Sequence, residues 1–231
     1  MTRPVRRRTA QDGFALIVVL VGLATITALL AVTAKTGVQH RGTLAAERAA
    51  LLDRYEAAER AGLALVWLRE GRGSPEEARL ELEEGTLLLQ DAGGLVDLNS
   101  ALPPLREAAL SAVGLPGVDD ALVAWRRGGR RVQRPDDLIR VLGLDPARLP
   151  RFRRIATVSS GRAGVARDVM TPEASEALRA AGLDAAPGSP LAAPPSGVNF
   201  EAFAVREGEP FWIGTVSAGS ADGAGRILDL R

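Results

Sequence analysis

Residues able to support catalysis are sparse in this chain of 231 residues. It has no cysteine and one histidine, His40, which excludes thiolate chemistry, disulfides and multi-histidine metal centres. Acids stand in adjacent pairs at Glu76-Glu77, Glu83-Glu84 and Asp136-Asp137. Neighbouring carboxylates point to opposite faces of a strand and suit the first turn of a helix. With no nucleophile motif and no phosphate loop, we expect no catalytic residue, no required cofactor and no enzyme.

The junction Gln11-Asp12-Gly13-Phe14 is a candidate for proteolytic processing, in which the chain itself is the substrate. A short leader rich in arginine ends in glycine, and phenylalanine opens a long apolar run. This junction resembles the class III signal of type IV pilin-like proteins. In that family a membrane-embedded aspartic prepilin peptidase cuts after the glycine and methylates the new N-terminus. The resemblance implies that Gly13 is the last leader residue and Phe14 the first mature one.

The apolar run itself covers residues 14–34, which are 21 residues without a charge. At about 1.5 Å per residue a helix of that length spans roughly 30 Å, the thickness of the hydrocarbon core. Four arginines precede it, so the positive-inside rule predicts a cytoplasmic N-terminus and an extracytoplasmic remainder. The run exceeds the apolar region of a secretory signal peptide, and Val32-Thr33-Ala34 is a poor cleavage site. Cleavage after Gly13 would remove four arginines and one aspartate, which moves the net charge from +1 to −2.

Apolar residues continue at three- and four-residue spacing as far as Val66, with charged residues opposite. Glycines and a proline at 71–75 predict the end of this helix. Two interpretations of the stripe are open: it packs on helices of neighbouring proteins, or it covers the protein's own sheet. The residues that we expect to bind partner helices are Leu44, Leu51, Leu52, Tyr55 and Leu63.

The rest of the chain alternates between strand-like and helix-like patterns. Short apolar runs separated by turn residues predict strands within 79–98 and again at 199–206, 210–218 and 226–230. Between them, apolar residues precede three Gly-Leu pairs at Gly114, Gly143 and Gly182. Each pair predicts a short amphipathic helix that ends at glycine. Residues 186–198 are rich in proline and predict a linker.

This order resembles the type II secretion minor pseudopilin called general secretion protein K. The most specific feature is the segment Leu89-Gln90-Asp91-Ala92-Gly93-Gly94-Leu95-Val96-Asp97-Leu98-Asn99-Ser100-Ala101, which is similar to that family's IQDEAGKIDLNTA-like stretch. Most pilin-like proteins carry a glutamate five residues into the mature chain, and here Val18 stands there. A membrane carboxylate needs a partner such as a neighbour's N-terminal amine. Its absence suits the end subunit of a filament.

The resemblance implies an α+β, type IV pilin-like fold, in which a long N-terminal helix packs on an antiparallel sheet and an all-helical domain is inserted. It implies an inner-membrane protein with a periplasmic C-terminal domain that binds I- and J-type minor pseudopilins and is processed by prepilin peptidase. Further contacts expected on this basis are the secreted substrate or the outer-membrane channel. Family members can bind calcium in the insert, yet Asp119, Asp120, Asp136 and Asp137 lack calcium-loop spacing, so no metal ligand is assigned.

The predicted division of the chain is a leader (1–13), a transmembrane helix (14–34), its amphipathic continuation (35–72), pilin-like strands (73–100), the helical insert (101–185), a linker (186–198) and C-terminal strands (199–231).

A membrane-anchored DNA receptor of the competence type is the alternative. The turn Gly114-Leu115-Pro116-Gly117 resembles a helix-hairpin-helix turn, whose backbone N–H groups hold a phosphate. Arginines that could neutralise further phosphates follow at Arg126, Arg127, Arg130, Arg131 and Arg134. Pro116 has no N–H to donate, however, and a solvated loop is the usual explanation of such a cluster. We therefore expect no nucleic acid partner.

Overall fold

A computed structural model describes residues 11–70, 78–83, 85–206, 208–219 and 225–230; within the first helix, the side chains of residues 11–17, 32, 34, 36–42, 44 and 45 are not described. The first helix, α1, is Gln11–Arg69. The chain divides into two compact units, Met1–Asp53 and Arg54–Arg231. No helix found within the described residues has both the length and the hydropathy to cross a membrane.

Strands from both ends of the second unit form one antiparallel sheet. In chain order the strands are β1 (Ala78–Leu82), β2 (Gly85–Asp91), β3 (Val96–Asp97), β4 (Ala156–Thr157), β5 (Asn199–Arg206), β6 (Glu209–Ser217) and β7 (Arg226–Leu230). The five-stranded sheet has the order β1-β2-β5-β6-β7, and β3 pairs separately with β4. In the central pairing Leu87 lies opposite Ala204, so β2 joins a strand that follows the whole helical region.

Helices fill the interval between β3 and β5. They are α2 (Pro103–Ser111), α3 (Asp119–Arg126), α4 (Asp137–Leu142), α5 (Leu149–Arg153) and α6 (Pro172–Ala180). Gly114, Gly143 and Gly182 have φ values of 78°, 71° and 69°, and the leucine after Gly182 donates its N–H back to Leu178 O at 2.9 Å. These left-handed C-terminal glycines confirm the helix ends that the Gly-Leu pairs predict.

The two faces of the five-stranded sheet have different neighbours. Leu87 and Leu89 of β2 point to one face and pack with alanines of α1 and with Ile213. The intervening Leu88 points to the other face and packs with Phe203 and Trp212. The alternation is the period of two that a strand imposes on its side chains, so the sheet is buried on both faces.

The helices have a hydrophobic core of their own, which the short pair β3 and β4 joins to the sheet. Its fully buried members include Leu105, Leu122, Leu138 and Phe152. The structure confirms the α+β class and the antiparallel sheet. The three C-terminal strands are present as predicted, with β6 beginning one residue earlier than expected, at Glu209.

Candidate functional site

The most deeply buried residues on the face of α1 that meets the sheet are small, and the larger Leu65, Trp67 and Leu68 pack at its margin, partly buried. Ala57, Ala61 and Ala64 are almost completely buried there, together with Leu87 and Phe200 of the sheet. Alanine loses no side-chain entropy on burial and lets the helix backbone approach the strands closely. Sequence reasoning missed this face, because the large apolar residues dominate the hydropathy pattern.

Three other large apolar residues of the same stretch lie on the outward side of the helix. Tyr55, Leu63 and Val66 expose 75%, 41% and 55% of their surface. Spacings of eight and three residues place them on one side of the helix. The exposed surface formed by Tyr55, Leu63 and Val66 is called the outer face of α1 below. The sheet is therefore covered mainly by the alanines of α1. Tyr55 and Leu63 do not cover it, which leaves packing on neighbouring proteins as the interpretation for these two residues.

The other predicted partner-binding residues lie in the first unit. Leu51 and Leu52 are exposed, and the side chain of Leu44 lies outside the described ones. Gly13 and Phe14 belong to α1, but their side chains are not described, and residues 1–10 of the leader lie outside the described residues. Cleavage after Gly13 and the span over 14–34 therefore stay predictions.

The segment that carries the family resemblance forms the junction between sheet and helices. Asp91, at the end of β2, is buried and accepts three backbone N–H groups: Oδ1 from Gly93 at 2.6 Å and Ser196 at 2.8 Å, and Oδ2 from Gly197 at 2.7 Å. Gly94 lies so close to the Val169 carbonyl that a Cβ there would overlap it. Both residues are thus required by contacts with distant parts of the chain.

A second buried acid closes the same junction on its helical side. Asp97 Oδ1 accepts from Asn99 N at 2.8 Å and Ser100 N at 3.0 Å, and its Oδ2 accepts from Gly161 N at 2.8 Å. Asn99 in turn donates to Val132 O at 2.9 Å and accepts from Val132 N at 3.0 Å. The side chains of Asp91, Asp97 and Asn99 in the resembling segment are therefore occupied in holding backbone.

A polar network fixes the helices to the far side of the sheet. Buried Glu201 accepts hydrogen bonds through Oε2 from Trp212 Nε1 at 2.8 Å and Thr215 Oγ1 at 2.9 Å, and through Oε1 from Thr157 Oγ1 at 2.5 Å. Arg153, at the end of α5, stacks its guanidinium 3.6 Å from the centre of the Trp212 ring. The cation on the ring face and the carboxylate on the ring N–H reinforce each other.

Arg153 is itself nine-tenths buried and pairs with Asp136. Burial lowers the pKa of Arg153, while the hydrogen bond and the charge of Asp136 raise it. Burial likewise raises the pKa of Asp229 on β7, against the opposing effect of its ion pair with Arg134. Sequence reasoning assigned none of these roles, although a glutamate in an otherwise apolar strand such as β5 is a signal that could have drawn attention to Glu201.

The four scattered acids considered for calcium are mostly engaged with protein groups. Asp119 forms a bidentate pair with Arg106, at 2.7 and 2.8 Å. Asp137 accepts from Gln133 N at 2.9 Å and Arg134 N at 3.1 Å, and Asp136 pairs with Arg153. Within the described ranges no three histidine or acidic side chains are grouped so as to hold a metal ion.

The turn considered for phosphate binding already binds a carboxylate of the same chain. Gly117 N donates to Glu107 Oε1 at 2.6 Å, and the arginine nearest to the turn, Arg148, donates to Val113 O at 2.7 Å. The backbone donor that a phosphate would need is thus already used by the chain.

No protein-family model matches this chain, and no curated protein sequence matches it.

Proposed function

We propose that the protein is a minor pseudopilin at the tip of a type II secretion pseudopilus. It has the pilin-like version of the α+β fold, a transmembrane helix over 14–34, a leader removed after Gly13 and a periplasmic C-terminal domain. Its activity is assembly: with I- and J-type minor pseudopilins it initiates and caps the filament during secretion across the outer membrane. The secreted substrate or the outer-membrane channel is a further contact of the same proposal.

One observation carries the proposal, namely the outer face of α1. Tyr55, Leu63 and Val66 stay exposed although the opposite side of the same helix is buried by alanines. Burying a large apolar side chain is favourable by about 1.5–3 kcal/mol relative to leaving it in water. A helix that keeps three of them on one face is typical of a helix that packs on another helix in an assembly.

The buried junction supports an assembly role in a second way. Three buried carboxylates accept hydrogen bonds from backbone and side-chain donors of the same chain; they belong to Asp91, Asp97 and Glu201. Acids used in this way position the helices on the sheet, as a protein that works through its shape requires.

The competence-type DNA receptor is less well supported, because Glu107 occupies the N–H of Gly117 that a phosphate would need.

The first test is leader processing. The N-terminal mass of the protein is measured from membranes of a strain with prepilin peptidase, beside a Gly13→Ala variant. We expect a chain beginning at methylated Phe14 for the wild type and an uncut chain for Gly13→Ala. An intact N-terminus in both would refute the pseudopilin assignment.

The second test uses the absence of cysteine from the chain. Leu63→Cys places a single thiol on the outer face of α1, and Arg140→Cys places one on an exposed residue of α4 as the matched control. We expect cross-links to I- or J-type pseudopilins carrying single cysteines in their N-terminal helices from Leu63→Cys alone. Equal yields from the two variants would remove the outer face of α1 as the partner surface.

A further inference from the structure

The loop that follows α3 concentrates positive charge that no acid among the described residues neutralises. Arg127, Arg130 and Arg131 are all exposed. No carboxylate of the described residues lies within ion-pair distance of any of the three. We call residues 127–131 the arginine loop. Three exposed arginines elsewhere in the helical region do have acidic partners; these pairs are Arg140–Asp137, Arg151–Glu176 and Arg167–Asp184, at 3.5, 3.2 and 3.9 Å. Exposed Arg148 and Arg179 instead donate to Val113 O and to the Ser175 hydroxyl, so the arginine loop differs by having three exposed arginines within five residues.

Both ends of the arginine loop are fixed to the protein. At its start, Arg126 donates to Leu98 O at 3.2 Å and also to Asn99 O. At its end, Val132 is buried and held through its N–H and its carbonyl by the Asn99 side chain. Within the loop, Gly129 has a φ of 75° and donates to Arg126 O at 3.1 Å. The exposed arginines are therefore presented by a pre-organised turn, which lowers the entropic cost of binding.

Arg126 lies next to the loop in a region of mixed charge. Burial lowers the pKa of Arg126, and the charges of Arg106 and Arg131 lower it further, while those of Asp97 and Asp119 raise it. Among the described residues Arg126 Nε is buried without a hydrogen-bond partner, and Arg130 lies over the ring of Trp125, 5.9 Å from its centre. Several guanidinium groups thus share one region.

The opposite end of α3 limits the size of any anionic partner. Asp120 occupies its first turn beside Asp119, whose charge is paired with Arg106, and Glu107 lies beside Asp120 along the depression lined by Pro103 and Gly117. A helix of eight residues is only about 12 Å long. A duplex or an anionic bilayer that covered the loop would extend over these acids, whereas a short segment would not. The planar guanidinium fork also matches carboxylates in two-point contacts.

We propose that the arginine loop binds a short, carboxylate-rich segment of a partner protein. The exposed charge of Arg127, Arg130 and Arg131, which no described acid pairs with, their fixed presentation, and Asp120 and Glu107 at the far end of α3 together favour this partner over nucleic acid or membrane. The inference is independent of the proposed pseudopilin role, because it uses a different surface and needs no leader cleavage.

The test measures binding of a fluorescein-labelled oligo-glutamate peptide to the full chain in uncharged detergent, at low ionic strength, by fluorescence anisotropy. The variant replaces Arg127, Arg130 and Arg131 with glutamine. The matched control replaces Arg140, Arg151 and Arg167 with glutamine, which removes the same charge from exposed, acid-paired positions. All six side chains are exposed or pair only at the surface, and circular dichroism verifies that both proteins fold.

We expect the loop variant to bind the peptide about tenfold more weakly than the wild type, since three exposed ion pairs each contribute roughly a factor of two. The control triple should bind within about twofold of the wild type. Equal losses in the two triples would show general electrostatics and overturn the proposal. Tighter binding of duplex DNA, or of vesicles containing phosphatidylglycerol, than of the peptide at matched salt would overturn it as well.

Discussion

Asp91→Asn is the most informative single substitution at the junction between sheet and helices. It keeps the size of the side chain and removes its charge and one of its two acceptor atoms. In the wild type Oδ1 accepts from Gly93 N and Ser196 N, and Oδ2 accepts from Gly197 N at 2.7 Å. Asparagine can serve the first two donors with its oxygen, but its amide nitrogen then faces the N–H of Gly197.

The cost follows from these three bonds. The N–H of Gly197 belongs to an exposed residue, so leaving it without its acceptor costs about 1 kcal/mol, and each of the two remaining bonds loses about 1 kcal/mol when the acceptor is no longer charged. We therefore expect Asp91→Asn to lower the free energy of unfolding by about 3 kcal/mol. That is a large share of the roughly 5–15 kcal/mol that stabilise an ordinary domain.

Urea unfolding followed by tryptophan fluorescence measures the effect. Trp67, Trp125 and Trp212, the three tryptophans of the chain, all lie in the unit Arg54–Arg231. The matched control is Asp145→Asn, where an exposed aspartate caps a helical turn through one bond to Ala147 N at 2.9 Å. It should change stability little, because asparagine caps about as well as aspartate. A loss within about 1 kcal/mol for Asp91→Asn, or equal losses in both variants, would refute the reasoning.

Two further predictions concern packing and pH. Gly94→Ala pushes a methyl group into the Val169 carbonyl and should destabilise by about 3 kcal/mol, whereas Gly62→Ala, with open space around its Cβ, should stabilise by about 0.5–1 kcal/mol; urea midpoints in the opposite order would contradict this. Burial raises the pKa of Asp229 above 3.8, so its contribution to stability is fully present below that pH and is lost as the pH rises through the folded-state pKa. The stability of Asp229→Asn relative to the wild type should therefore increase with pH over that window in urea titrations, and a decrease would show that the ion pair with Arg134 dominates.

Local patterns predicted the elements of the fold well. Alternation bounded by turn residues located the C-terminal strands, since side chains in a strand alternate between two faces whatever the tertiary context. Gly-Leu pairs located the ends of α2, α4 and α6, because a left-handed residue after a helix is best served by glycine. The start of α6 has a local cause as well: the Thr171 side chain accepts from Ala174 N at 3.1 Å, and Pro172 occupies the first turn.

Long-range contacts were beyond the reach of local patterns. The backbone N–H of Ser196 donates a hydrogen bond to Asp91, which lies 105 positions earlier in the chain. The sequence around either residue gives no sign of this contact. The inward side of α1 was missed for a different reason: Ala57, Ala61 and Ala64 carry little hydropathy, and their burial is decided by how close the strands come. The same geometry leaves the larger residues at 55, 63 and 66 outside.

The central pairing of the sheet also sets the order in which the protein can fold. Thr86 in β2 pairs with Val205 in β5, so the first two strands are synthesised long before their neighbour in the sheet exists. Closing so long a loop is slow when the intervening chain is unstructured. Asp91 holds the backbone of residues 196 and 197, so we expect early folding of the helices to bring β5 to the edge of β2. In this way the helical region would hold the two halves of the sheet together during folding. Substitutions in the core of the helical region should therefore slow the refolding of strands with which they make no contact.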